Sequence, residues 1–169
     1  GPPRLSRLTL AFGLALLAVV GTVSVSLIAA TGEGTERWVN IVLVVVVGVT
    51  FVVSGLIALV RRPENRTGLY LAAVGYTLFL NGLGTSMNEW VFVVGWLSEG
   101  LIWAPFCALV FAYPTGQLRT RLERFIPVAV GVLLTGASLL ELLFDETPDP
   151  DSATSPIAIA HRPAVAEAA

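Results

Sequence analysis

The sequence has no lysine, one cysteine (Cys107), one histidine (His161) and few charges of either sign. Only 13% of its 169 residues are charged, whereas a typical soluble domain has about 25%. One cysteine excludes an internal disulfide and a multi-cysteine metal site, and one histidine leaves little material for the common metal and triad chemistries. A chain that is 55% hydrophobic, with a mean hydropathy of +0.80, is not a disordered protein, a nucleic-acid binder or an ordinary soluble enzyme.

Long stretches without charge divide the chain. Three carry no charged residue and two carry a single acid: 8–32, 38–60, 67–88, 90–118 with Glu99, and 125–144 with Glu141. A helix needs about 20 apolar residues to cross the roughly 30 Å hydrocarbon layer, and lipid-facing backbone must be fully hydrogen-bonded, which favours helices over strands. The sequence therefore predicts an all-α, polytopic membrane bundle of five transmembrane helices, at about 8–30, 39–60, 68–86, 90–113 and 124–144.

The arginines lie mainly on alternate connections between these spans. Most of them precede span one or follow spans two and four: Arg4, Arg7, Arg61, Arg62, Arg66, Arg119, Arg121 and Arg124. The other connections carry most of the acids, with only Arg37 and Arg162. The positive-inside rule then predicts a cytoplasmic N-terminal segment at 1–7 and an extracytoplasmic tail at 145–169.

Both ends of the chain need separate interpretation. The leading Gly1-Pro2 pair is interpreted as a remnant of tag removal. Span one is expected to be a retained helix rather than a cleaved signal peptide, because its apolar stretch is longer than the roughly 7–15 residues of a signal peptide. The tail at 145–169 is acidic and proline-rich at first and then alanine-rich, which is typical of a surface segment or of the approach to a further span.

Glu99 is the sharpest functional candidate, because it lies near the middle of span four, where a charge costs a few kcal/mol. Helical spacing places Trp96 and Trp103 on its face, and the turn after span three brings Tyr76 and Thr77 to its level. We expect one of those two hydroxyls beside it. Glu99 is then either a ligand- or proton-sensing acid in a bundle cavity, or a neutral residue whose hydrogen bond locks two helices.

Three further features of the spans and their outer connections are candidates. Asn81 is expected to form an interhelical hydrogen bond, or to take part in a polar core. Pro105 frees the carbonyl group of Leu101 and is expected to bend span four just past Trp103. A polar outer mouth for a ligand, or a plain solvated loop, is predicted from Asn88, Glu89 and Trp90.

Two basic turns are predicted on the cytoplasmic side. The first consists of Arg61, Arg62, Pro63, Asn65 and Arg66. It is expected to fix the orientation of the helices in the membrane and to contact anionic headgroups. In the second, Pro114 disfavours helical geometry at the preceding residue and Gly116 permits a sharp turn. The start of span five is then held at the headgroups by Arg119, Arg121 and Arg124.

These turns resemble a known family. The segments that carry the likeness are 61–68 (RRPENRTG), 109–119 (LVFAYPTGQLR) with 121–124 (RLER), and, more weakly, 155–159 (SPIAI) with 162–164 (RPA). Together they resemble the N-terminal membrane region of actinobacterial sensor histidine kinases that are paired with LuxR-type response regulators. Gln117 departs from the pattern, since arginine usually follows this turn in the family.

The resemblance implies a membrane-embedded signal-input region of a two-component system. It also implies a longer protein with a dimerising helix, a phospho-accepting histidine and an ATP-binding domain, which together would form a homodimer and act on a response regulator. This chain has no nucleotide loop, so we expect no enzyme activity, no cofactor, no metal and no nucleic acid, with membrane lipids as its surroundings. The alternatives are a structural or interaction subunit of a membrane complex and a small transporter or channel component.

Overall fold

The computed structural model describes residues 4–31 and 34–144, with side chains for 8–30 and 38–144; the predicted tail at 145–169 and its weak motif lie outside the described residues. The described part of the chain is helical and contains no strand. The helices are α1 (Arg4–Thr31), α2 (Gly34–Arg61), α3 (Thr67–Asn81), α4 (Glu89–Leu101), α5 (Trp103–Ala112) and α6 (Arg121–Phe144), with a 3-10 segment at Gly82–Thr85 between α3 and α4. The predicted all-α fold is confirmed.

Four helical stretches are long and apolar enough to cross a membrane: Leu8–Ala30, Trp38–Arg61, Glu89–Ala112 and Arg121–Phe144. They correspond to predicted spans one, two, four and five. The third predicted span is divided, because α3 has only 15 residues and the chain then tightens into the four-residue 3-10 segment. Gly82 and Gly84 lie there, and each glycine costs about 1 kcal/mol relative to alanine in an α-helix.

Apolar side chains cover the outside of the bundle. Only 17% to 28% of the most apolar window in each of the four long stretches is buried. Val42, Val132 and Leu133 are more than half exposed. Apolar surface of this extent marks contact with a membrane or another molecule, and the exposed faces therefore suit a hydrocarbon solvent.

Helix α3 lies at the centre of the bundle. It contacts α1, α2, α4 and α5, while α6 packs on the far side of α4 and α5. Helices α2 and α3 run in opposite directions, since Gly55 packs on Gly68 near one end and Gly48 packs on Gly75 further along. Short connections favour this antiparallel order of neighbours.

Glycine brings the backbones of α2 and α3 into direct contact. A Cβ atom on Gly55 would lie 2.5 Å from the Ala72 amide nitrogen and 2.6 Å from the Gly68 carbonyl oxygen. A Cβ atom on Gly75 would lie 2.8 Å from the Gly48 carbonyl oxygen. Close packing of small residues is a main source of helix association in lipid, where little hydrophobic drive exists. These two contacts therefore hold α3 against α2.

Phe79 fills the space that glycines leave between α1 and α2. Its side chain is only 1% exposed, and its ring lies 3.5 Å from a Cβ position on Gly21 and 2.7 Å from one on Gly48. The core cluster around it consists of Ile28, Val44, Val52 and Leu56. The ring thus packs α1, α2 and α3 into one unit.

Helix α4 is packed on two nearly opposite sides. Gly95 lies against the backbone of Leu83 and Gly84 in the 3-10 segment, and a Cβ atom on Gly100 would lie 2.5 Å from the Thr135 amide nitrogen in α6. Five residues at 3.6 per turn place Gly95 and Gly100 about 140° apart around the helix. Val93 and Ser98 of α4 are buried as well, whereas Val94 and Glu99 are exposed.

We expect Gly55→Ala to destabilise the bundle by about 2 kcal/mol, because an added methyl group would meet backbone atoms that cannot move aside. Gly136→Ala is the matched control, since nothing lies within 4 Å of a Cβ atom there, and alanine improves helix propensity by up to about 1 kcal/mol. Unfolding by SDS titration in mixed micelles, followed by circular dichroism, measures both free energies. Equal stability of the two variants would contradict the backbone contact.

Candidate functional site

The two predicted basic turns meet at one end of the bundle. The Arg66 amide donates a hydrogen bond to the Gly116 carbonyl oxygen over 3.1 Å. Gly116 has a φ angle of +72°, in the left-handed region that disfavours other residues, and a Cβ atom there would run into the Asn65 side-chain amide. We call this contact of Asn65 and Arg66 with Gly116 the turn joint. It connects the α2–α3 hairpin to the hairpin formed by α5 and α6.

Asn65 shapes the first turn. Its side-chain Oδ1 accepts a hydrogen bond from the Thr67 backbone amide over 2.9 Å. The Asn65 backbone amide donates to the Arg62 carbonyl oxygen over 3.0 Å. An asparagine side chain that bonds the backbone two residues ahead forms an Asx turn and supplies an acceptor that a helix start lacks. Pro63, which is exposed, cannot continue α2 in a regular helix.

The second turn folds back on the end of α5. The Gly116 amide donates to the Ala112 carbonyl oxygen over 2.6 Å, and the Tyr113 amide donates to the Leu109 carbonyl oxygen over 3.1 Å. The Tyr113–Pro114 peptide bond is cis. This compact loop presents the Gly116 carbonyl group to the first turn.

Thr120 and Glu123 cap the start of α6. Glu123 Oε2 accepts hydrogen bonds from the Arg119 amide over 2.7 Å and from the Thr120 amide over 3.2 Å, and the Glu123 amide donates to Thr120 Oγ1 over 3.1 Å. This reciprocal arrangement is a capping box. Sequence reasoning missed it, although the Thr-x-x-Glu spacing is its usual signal.

Exposed arginines lie in the two turns or directly after them: Arg61, Arg62, Arg66, Arg119, Arg121 and Arg124. Arg124 Nε donates a hydrogen bond to the Leu118 carbonyl oxygen over 3.0 Å. The side chains of Arg61 and Arg62 make no hydrogen bond or ion pair with any described residue. This end of the bundle therefore carries unpaired positive charge.

A cleft of about 490 Å³ opens beside the turn joint. We call it the turn cleft, and its lining consists of Ser54, Ile57, Ala58, Arg61, Arg62, Asn65, Thr67, Gly68, Tyr113 and Pro114. The Thr67 hydroxyl oxygen is buried and has no hydrogen-bond partner within the described chain. The sequence analysis placed Thr67 only within the 61–68 segment and gave its hydroxyl group no role, because a threonine at the start of a helix has no distinctive signal.

A second cleft, of about 440 Å³, lies on the same end of the bundle. It is lined by Glu64, Arg66, Tyr70, Gln117, Leu118 and Arg124. A glutamate shares this cleft with two arginines, so its charge is partly balanced. The turn cleft has no acidic residue in its lining.

Glu99 lies on the outside of the bundle rather than in a cavity. Its side chain is exposed and makes no hydrogen bond or ion pair to residues that the structure describes. Its neighbours in the chain, Ser98 and Gly100, are buried, so the rotation of α4 turns these two residues inward and leaves Glu99 exposed. The predicted cavity followed from the depth of Glu99 along the bundle axis, but the rotation of α4 about its own axis decides whether the side chain points inward.

The hydroxyl groups expected beside Glu99 bond elsewhere. Tyr76 donates to the Gly13 carbonyl oxygen in α1 over 2.7 Å. Thr77 donates within its own helix, to the carbonyl oxygens of Ala73 over 2.8 Å and Val74 over 3.0 Å. Tyr76 thus connects α3 to α1, a contact that no local sequence pattern indicates.

The aromatic residues and the proline near Glu99 have separate surroundings. Trp96 has a buried Nε1 without a hydrogen-bond partner in the described residues, whereas Trp103 is 48% exposed. The helix is interrupted at Ile102, between α4 and α5. This interruption lies just before Trp103 rather than after it, within one turn of Pro105, whose missing amide leaves a carbonyl group of the preceding turn unpaired.

The predicted outer residues serve mainly as helix ends. Asn81 is the last residue of α3 and its side chain does not cap the 3-10 segment. Asn88 Oδ1 accepts hydrogen bonds from the amides of Trp90 and Val91, each over 3.2 Å, which makes Asn88 the N-cap of α4. Glu89 and Trp90 are exposed in its first turn.

No family model, curated protein or solved structure matches the chain. Within the described residues, no three side chains of histidine, cysteine, aspartate or glutamate come together as a metal site. The turn joint and the turn cleft beside it contain backbone amide, guanidinium and hydroxyl donors. Such donors are suited to binding anions and to holding two hairpins together.

We expect Glu99→Leu to preserve the free energy of unfolding within about 0.5 kcal/mol, because this exposed side chain has no partner in the described chain and faces detergent in both the folded and the unfolded state. Ser98→Leu is the matched neighbour and should cost about 1–3 kcal/mol, since Ser98 is only 3% exposed and a leucine side chain would displace the atoms packed around it. SDS titration measures both. A larger loss for Glu99→Leu than for Ser98→Leu would mean that α4 is rotated differently.

Proposed function

We propose that the chain is the membrane-embedded signal-input region of a two-component sensor histidine kinase. The turn joint is the observation that carries this proposal. The two segments with the clearest resemblance to that family, 61–68 and 109–119, lie about fifty residues apart in sequence, yet Arg66 and Gly116 bond them directly. A shared contact gives both motifs one structural role, which is to join two helical hairpins at the end nearest a cytoplasmic module.

Five spans with the arginine-rich end in the cytoplasm belong to this proposal. Helix α3 has 15 residues and the 3-10 segment has four. At about 1.5 Å and 2.0 Å per residue they extend roughly 30 Å together, which is the thickness of the hydrocarbon layer. The positive-inside rule supports the orientation, because the exposed arginines gather at the turn joint.

A stimulus would act on the packing between two groups of helices. One group is α1, α2 and α3, which Phe79 holds together, and the other is α4, α5 and α6. A shift of one group against the other would move the two turns relative to each other and so bias the geometry of an attached module. The connection at 86–88 is too short to form a folded domain, which favours a membrane-embedded or lipid-like molecule, or a state of the bilayer, as the stimulus.

An interaction subunit is a second candidate, and exposed Glu99 favours it. An unpaired acid near the middle of a span costs a few kcal/mol in lipid. A basic or hydroxyl group on a helix of another protein would offset this cost. Stoichiometric co-purification of a membrane protein without a kinase domain, lost in Glu99→Gln, would favour this function over the first.

The orientation predicts opposite labelling of two connections. In a Cys107→Ala background, we expect a membrane-impermeant maleimide to label Met87→Cys in intact cells, because Met87 is 65% exposed at the end opposite the turn joint. Gln117→Cys should react only after lysis. Labelling of Gln117→Cys in intact cells, with none of Met87→Cys, would overturn the orientation.

The kinase assignment is tested in the protein encoded by the complete reading frame. We expect the frame to encode a dimerising helix and an ATP-binding domain beyond Ala169, and Gly116→Ala to change the autophosphorylation rate about fivefold or more, a usual size for coupling between sites. Gly136→Ala is the control, because nothing lies within 4 Å of the added methyl group. A frame without these domains, or equal rates in Gly116→Ala and the unaltered protein, would contradict the proposal.

A further inference from the structure

We propose that the turn cleft binds the phosphate-bearing headgroup of an anionic phospholipid. This inference depends on the membrane placement of the bundle and not on the kinase assignment, because the chain alone would bind the lipid. It concerns one defined site and not a general attraction between arginines and the membrane surface.

Charge is the first reason. Arg61 and Arg62 both line the cleft, and neither guanidinium group has an intramolecular partner among the described residues. No acidic side chain lines the cleft to balance them. Guanidinium groups bind phosphate oxygens through charge-assisted hydrogen bonds, often two at a time. Basic pockets between transmembrane helices at the cytoplasmic side are typical binding sites for acidic headgroups.

The hydroxyl group of Thr67 is the second and independent reason. Thr67 lines the same cleft. Its hydroxyl oxygen is buried and has no hydrogen-bond partner in the described part of the chain. Buried hydroxyl groups almost always have a partner, because leaving one unsatisfied costs free energy. Once the Thr67 side chain turns this hydroxyl group towards the cleft, a phosphate oxygen bound between the two arginines would accept the missing hydrogen bond.

The apolar part of the cleft favours a lipid over free phosphate. Ile57 and Ala58 line it together with the arginines, and Ile57 is 44% exposed on α2, within a stretch apolar enough to span a membrane. A free phosphate would leave this apolar surface uncovered, whereas an acyl chain would cover it. The volume of about 490 Å³ lies in the range of small-molecule sites.

The two clefts at this end of the bundle differ in how much of their positive charge is already paired within the chain. The second cleft contains Glu64, and its Arg124 already donates a hydrogen bond to the Leu118 carbonyl oxygen. Its positive charge is therefore partly used within the chain. In the turn cleft both guanidinium groups are exposed, and a buried hydroxyl group beside them has no hydrogen-bond partner among the described residues.

A bound lipid would also stabilise the turn joint. The cleft is built from both hairpins, since Arg62 and Asn65 belong to the first turn and Tyr113 and Pro114 to the second. A headgroup that contacts both walls stabilises the joined arrangement by mass action. Hydrogen exchange at the Arg66 amide, which donates to Gly116 across the joint, reports this directly.

The experiment titrates the purified full chain in detergent with phosphatidylglycerol or phosphatidylcholine and counts bound lipid by native mass spectrometry. We expect preferential binding of phosphatidylglycerol and slower exchange of the Arg66 amide in its presence. Arg61→Ala/Arg62→Ala and, separately, Thr67→Val should each weaken binding about tenfold or more. Thr67→Val is nearly isosteric and removes a hydroxyl group without a partner, so the fold should persist, as circular dichroism will check.

Arg119→Ala/Arg121→Ala is the matched control, since it removes the same charge from the same end of the bundle outside the cleft. It should leave binding within about twofold. Equal loss in this control, or no loss in Thr67→Val, would show diffuse surface attraction and overturn the proposed site. Equal binding of the two lipids would also overturn it, as would displacement of phosphatidylglycerol by millimolar inorganic phosphate, which would assign the cleft to the free ion.

Discussion

Direct contact between the backbones of α2 and α3 is the constraint on which the rest of the structure depends. Gly55 meets Gly68 and Gly75 meets Gly48 without an intervening side chain. Because lipid offers little hydrophobic drive for association, this close approach supplies the attraction through van der Waals contact. It places α3 at the centre of the bundle, and the opposite side of α3 is then available to α4 and α5. Phe79 fills the remaining gap towards α1.

Close packing through glycine also determines which side chains of α4 face outward. Gly95 and Gly100 are needed where the helix touches the 3-10 segment and α6, and these contacts settle its rotation. Glu99 is then exposed as a consequence of packing around it rather than through any bond of its own. The bundle thus pairs glycine-mediated internal contacts with an apolar outer surface, and it places its one midspan acid on that surface.

The turn joint shows how two ordinary-looking loops acquire a common role. Asn65 bonds the start of α3 through Thr67 and packs against Gly116, so the first turn cannot change shape without affecting the second. The proposed input function and the proposed lipid site both use this arrangement, the former as a mechanical connection and the latter as one wall of a cleft. The two proposals remain separable, because lipid binding requires only the arginines and hydroxyl of the cleft.

The sequence by itself determined the helical class, four of the long apolar helices and the arginine-rich turns, because charge spacing and hydropathy act locally along the chain. It did not determine the division of the third stretch at Gly82, where weak helix propensity and packing act together. The surroundings of Glu99, the bond from Tyr76 to Gly13 and the meeting of Asn65 with Gly116 were decided only by the tertiary structure. Each depends on the rotation and register of one helix against another. These follow from contacts between residues far apart in the chain, and no local sequence pattern predicts such contacts.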